Sequence, residues 1–206
     1  MEQSNIQSSL QSHGIIVALM LLSTVATQIF YIAVVSGAEN ADTLRMIVWT
    51  WEAIAFSLAA VGGLVLAGRS PVAAAAFAAI AIGSITNVIQ VGMGLAEFGP
   101  ARGSEDSAVF GTVIAGAFFL YFHGKALFGL AAIILGLAAF AKQGGLAKGL
   151  GAIAVLTGAA SVLMNVYAMA TGMGAENANV QPAGAAGTAA TLFLGLLLLV
   201  PAKSES

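Results

Sequence analysis

The sequence predicts an all-α polytopic transmembrane bundle of about six helices, and three observations predict it. Apolar residues fill 59% of the 206 positions and charged residues only 8%. Stretches such as 15–30 and 126–141 hold no charge at all. The apolar runs recur at the length a membrane demands, roughly 20 residues for a ~30 Å hydrocarbon core. The chain is long enough for six such helices with short loops, and no separate soluble domain fits beside them.

The same numbers exclude several classes of function. Lys and Arg total 7 against 9 Asp and Glu, so there is no basic surface for nucleic acid. The absence of cysteine removes disulfides, thiolate metal sites, iron–sulfur clusters and cysteine nucleophiles. His13 and His123 are too few for a histidine-built metal centre. The expectation is no metal and no cofactor.

Residues 1–13 read as a polar N-terminal tail, 14–201 as the six-helix domain and 202–206 as a C-terminal tail. The first span is 14–36. Its tail lacks Lys and Arg, and its apolar run is longer than a typical signal core, so it is read as a retained helix although Ser36-Gly37-Ala38 resembles a cleavage site. The second span, 44–67, stops at Gly68-Arg69-Ser70-Pro71, and the third, 71–95, stops near Gly99-Pro100. The fourth lies within 108–141 and ends at Lys142-Gln143-Gly144-Gly145. The fifth is 147–172, and the sixth, 183–200, is bracketed by Pro182 and Pro201.

The fourth stretch is too long for one crossing, about 51 Å at 1.5 Å per residue. Either it tilts and projects beyond the membrane, or it breaks at Gly111, Gly116 or Gly124, or its first half is re-entrant.

Loop charges alternate. Arg69, Lys142, Lys148 and Lys203 follow the even-numbered spans, whereas Glu39, Asp42, Glu97, Glu105, Asp106 and Glu176 follow the odd ones. Positive loops stay cytoplasmic. The expectation is an inner (plasma) membrane protein with both termini inside and acidic loops outside. Arg45 and Arg102 break the pattern, but each has acids nearby.

The spans also repeat. Gly-Ala-Glu-Asn-Ala stands at 37–41 and 174–178, and Gly-Met-Gly at 92–94 and 172–174. Phe56-Ser-Leu-Ala-Ala-Val aligns with Phe128-Gly-Leu-Ala-Ala-Ile. This suggests a helical hairpin used two or three times in one orientation, although Ala/Gly/Leu-rich helices also match by chance.

Polar residues gather at one level. Gln28, Glu52, Asn87 and Asn165 lie seven or eight residues from the outer ends of their spans, and Gln90 five. At 1.5 Å per residue most sit about 10–12 Å deep. His123 and Lys125 join them if the fourth span keeps the repeat register. Glu52, Asn87, Asn165 and Lys125 each lie on a stripe of Gly, Ala or Ser, the mark of close helix contact in membranes, so all four should face inward. His123 is about 200° around the helix from Lys125, so both cannot. Gln28, Glu52, Asn87, Gln90, His123, Lys125 and Asn165 are therefore the candidate binding pocket, with Glu52 and Lys125 expected to form an ion pair. Plainer readings compete. Lys125 can snorkel to the headgroups. Tyr31, Trp49, Trp51, Tyr121 and Tyr167 suit an interfacial aromatic belt. The amides can act as interhelical glue, and His123 can be structural.

Tyr121-Phe-His-Gly-Lys-Ala-Leu-Phe-Gly-Leu, the basic turn from Lys142 to Lys148 and the Gly-rich run to Gly158 resemble a bacterial family of small multi-pass membrane proteins with no assigned activity. The resemblance covers about a quarter of the chain. It implies a bacterial inner-membrane protein and transfers no site residue.

Three functions compete: binding or transport of a small polar solute from the outer side, an accessory or assembly role in a larger membrane complex, and an intramembrane enzyme using Glu52 or His123. Chemistry is the least supported, since no motif accompanies either residue. The expected partners are membrane lipids and further copies of the chain or other membrane subunits.

Overall fold

The computed structural model describes residues 2–142, 144–173 and 177–200, with side chains from residue 11 onward except at 142. Among the described residues there are seven helices and no strand: α1 Glu2–Phe30, α2 Asp42–Arg69, α3 Ala74–Ala96, α4 Phe98–Arg102, α5 Ser107–Lys142, α6 Gly145–Thr171 and α7 Val180–Leu199. All but α4 are long and apolar enough to cross a membrane. The architecture is that of a multi-pass helical membrane protein.

Local chemistry sets the helix ends. Pro71 starts a 3₁₀ turn, Pro71–Ala73, that leads into α3, because its fixed φ suits a first turn and its missing N–H is not needed there. Asn40, at φ 54, makes the left-handed step before α2, a conformation asparagine tolerates. Gly172, at φ 100, ends α6 where a side chain would be strained. A π-helical turn, Tyr31–Val35, widens the end of α1.

Two expectations gain detail. α1 begins at Glu2, so the helix starts ahead of residue 14 and runs through the stretch read as a polar tail. α5 is one uninterrupted helix. Gly111, Gly116 and Gly124 do not break it, and it is not re-entrant. Among the described residues, α5 also packs against the short α4.

The spans form a closed ring in chain order. α1 packs on α2, α2 on α3, α3 on α5, α5 on α6 and α6 on α7, and α7 returns to α1; α5 also reaches across to α7. Lipid tails are as apolar as leucine, so association rests on close packing rather than on the hydrophobic effect. The α5–α6 pair shows how close. A Cβ added at Gly158 would lie 2.6 Å from the Gly129 carbonyl oxygen, and one at Gly151 would lie 2.7 Å from that of Gly136. In the core, Phe56 of α2 and Phe128 of α5 stack with ring centroids 6.1 Å apart. These are the two phenylalanines that the repeat alignment pairs. Outward faces are apolar, with Leu156 and Leu163 each 71% exposed.

The ends of the bundle differ. At the acidic-loop end, Asp42 holds Arg45 at 2.9 Å and meets Arg102 at 3.9 Å, so both exceptional arginines share one counter-charge. Aromatic rings run from Tyr31 through Trp49 and Phe98 to Phe110, with Arg102 over the last at 5.2 Å. At the opposite end Lys148 lies 4.9 Å over Phe140. The side chain of Lys142, and Glu176, Pro201 and Lys203, lie outside the described residues.

Candidate polar site inside the bundle

Lys125 is the anomaly around which the site is built. It is 1% exposed, although it lies in the middle of a membrane-spanning helix. It does not snorkel. Its stem lies along α7 at Gly187, where a Cβ would come within 2.7 Å of the Lys125 Cβ. Its ammonium lies between two rings of its own helix, 5.3 Å from the centroid of Tyr121 and 6.0 Å from that of Phe128. Cation–π contacts of this kind stabilise a desolvated ammonium by about 2 kcal/mol each. No hydrogen bond or ion pair joins the Lys125 ammonium to another group among the described residues.

The opposite charge is on α2. Glu52 is half-buried, and its Oε1 accepts a hydrogen bond from Thr27 Oγ1 of α1 at 2.8 Å. It feels the Lys125 charge through Coulomb attraction. The expected contact ion pair does not form: no ion pair within 4.0 Å joins Glu52 to Lys125. Thr27 of α1 bonds the carboxylate, while the lysine stem lies against Gly187 of α7.

The level is bounded on both sides. One turn toward the acidic-loop end of α5, Tyr121 Oη accepts a hydrogen bond from Gln28 Nε2, and Gln28 Oε1 accepts one from Thr188 Oγ1 at 2.9 Å. Gln28 thereby ties α1, α5 and α7 together. One turn toward the basic-loop end, the stacked Phe56 and Phe128 lie beneath Glu52 and Lys125.

Two asparagines flank α5 in matching ways. Asn87 of α3 donates to the Gly83 carbonyl four residues back at 2.8 Å, and Asn165 of α6 donates to that of Ser161 at 2.8 Å. Asn165 also reaches Ala183 O of α7 at 3.1 Å, while Ser161 Oγ donates to the Lys125 carbonyl at 2.9 Å. Asn87 packs so tightly on α5 that a Cβ at Gly124 would lie 1.9 Å from its Nδ2. Both asparagines are fully buried, and both carboxamide oxygens lack a hydrogen-bond donor, as does Ser84 Oγ. An unmet buried acceptor costs about 1–3 kcal/mol.

Of the seven expected pocket residues, the structure brings Gln28, Glu52 and Lys125 to one level, with Asn87 and Asn165 packed against the same stretch of α5. Gln90 is half-buried and makes no hydrogen bond among the described residues. His123 stands apart, with its ring stacked on Phe119, which is itself exposed. Thr27, Tyr121 and Thr188 belong to the cluster and were not anticipated. Tyr121, expected in the aromatic belt, is four residues before Lys125 and so shares its face; that spacing was the available signal. No group of three or more His, Cys, Asp or Glu side chains meets among the described residues.

Fold and cluster together define a multi-pass helical membrane protein with a charged group enclosed in its bundle. Comparison with protein-family models, curated proteins and solved structures returned no match.

Proposed function

We propose that this bundle binds a small polar solute at the Glu52–Lys125 level and carries it across the membrane. The observation that supports the reading most is the Lys125 ammonium, enclosed among helices with no acceptor of its own. A charge in the bilayer core costs a few kcal/mol on insertion scales, and such residues mark solute and ion paths. Orphaned oxygens on Asn87 and Asn165 add acceptors near the same stretch of α5. The Gln28–Tyr121–Thr188 tie closes one side and the Phe56–Phe128 stack the other, so passage requires each to open in turn. By the charge rule for loops we place both termini in the cytoplasm of a bacterium, with the acidic loops outside its inner membrane.

A second reading, an accessory subunit, draws on the exposed apolar face of α2 formed by Met46, Ile47, Trp51 and Ile54. Native mass spectrometry of protein extracted in mild detergent separates the two. The solute reading expects a small molecule that is retained by the wild type and absent from Lys125→Met. A stoichiometric foreign membrane chain, with no small molecule in either sample, would overturn it in favour of the subunit role. The same spectrum counts copies of the chain.

A further inference from the structure

The site holds one positive and one negative group at one level, out of contact with each other. We propose that its solute is a small zwitterion of the amino-acid type, with the carboxylate on the Lys125 ammonium and the ammonium on the Glu52 carboxylate. This inference rests on the solute-binding reading above and narrows it to one chemical class.

The two charges are held separately. Glu52 gives one oxygen to Thr27, which leaves the other for a donor. Lys125 is confined by Gly187 beside its stem and by the Tyr121 and Phe128 rings beside its head. The ammonium therefore offers its protons to whatever lies between the helices. The Phe56–Phe128 stack lies one turn further along the two helices.

Each simpler ligand class leaves a charge unmet. An anion would satisfy Lys125 and face repulsion from Glu52. A cation would satisfy Glu52 and face repulsion from Lys125. A neutral polar molecule could hydrogen-bond each group but would bring neither a counter-charge. Only a solute bearing both signs pairs each group, and the misfit of the others supplies discrimination. Such a solute has no net charge, so the membrane potential does no net work on it during transfer.

Three compounds of nearly equal size test the idea: L-alanine, propionate and propylamine. Wild-type protein in lipid nanodiscs is melted with each at a series of equal millimolar concentrations, followed by the fluorescence of Trp49 and Trp51. The expected result is a concentration-dependent rise in Tm with alanine, at an apparent affinity at least tenfold above either single-charge compound. In Glu52→Gln the order reverses toward propionate, and in Lys125→Met toward propylamine. The wild-type comparison needs no variant, so it decides even if a variant fails to fold. If propionate or propylamine binds the wild type as tightly as alanine, the zwitterion assignment falls and solute binding stands. If none of the three shifts Tm and proteoliposomes take up no component of a radiolabelled amino-acid mixture, both fall.

Discussion

From Gly129 to Gly136, α5 meets α6 backbone to backbone: the carbonyls of Gly129 and Gly136 lie where side chains of Gly158 and Gly151 would be. One turn earlier the same helix meets α7 through a full-length cation, seated against Gly187. Both contacts need a glycine on the partner helix, but for different ends. In the first, glycine admits a carbonyl, and every group at the contact is satisfied by helix hydrogen bonds and close packing. In the second, glycine admits a lysine whose head finds no acceptor. The first stretch is what a bundle needs to assemble. The second is a departure from good packing, and such departures are the expected mark of function.

The two stretches should respond to mutation in opposite ways. Gly158→Val should have the largest effect, since its Cβ would meet a backbone oxygen that cannot move aside. Despite the better helix propensity of other residues over glycine, we expect a loss of about 3 kcal/mol or more, read as failure to fold or a steep fall in Tm. Lys125→Met comes next. Replacing an unmet buried charge with an apolar chain of similar length should leave stability unchanged or raise it by about 1–3 kcal/mol in the same melting assay, while solute binding is lost.

Tyr121→Phe removes the acceptor for Gln28 and loosens the tie among α1, α5 and α7. A loss of about 1 kcal/mol is expected, with faster solute release toward the acidic-loop end in stopped-flow measurements. Trp51→Ala should matter least. The indole is exposed and makes one long hydrogen bond, 3.3 Å to Ser23 Oγ; its loss should change stability by no more than about 0.5 kcal/mol in the melting assay.

Much of the fold could be read before the structure. Apolar runs and their Gly/Pro breaks located all six spans, because a bilayer enforces helix length as water does not. The small-residue stripes located the buried faces: Gly83 and Asn87 of α3, Gly158, Ser161 and Asn165 of α6, and Lys125, Gly129, Ala132 and Gly136 of α5 are all buried. The site was legible only in part. Periodicity gives direction around a helix but not the distance between helices, so the separation of Glu52 from Lys125 was invisible. Thr27 was passed over because threonine in a membrane helix usually bonds its own backbone, as Thr27 also does at 3.0 Å to Thr24 O. Tyr121 was assigned by residue type to the interface, whereas it turns into the cluster beside Gln28 and Lys125. Nor could sequence alone decide whether that long helix breaks, because glycine permits a kink without requiring one.

The central claim is that Glu52 and Lys125 lie inside the bundle with no ion pair between them, and that a solute's groups bridge the two. A density map of the protein in lipid nanodiscs tests it most directly. The account predicts an enclosed Lys125 side chain, with non-protein density bridging its Nζ to the Glu52 carboxylate. A lysine turned out to the headgroups, or an Nζ resting directly on a Glu52 oxygen with nothing between them, would contradict it.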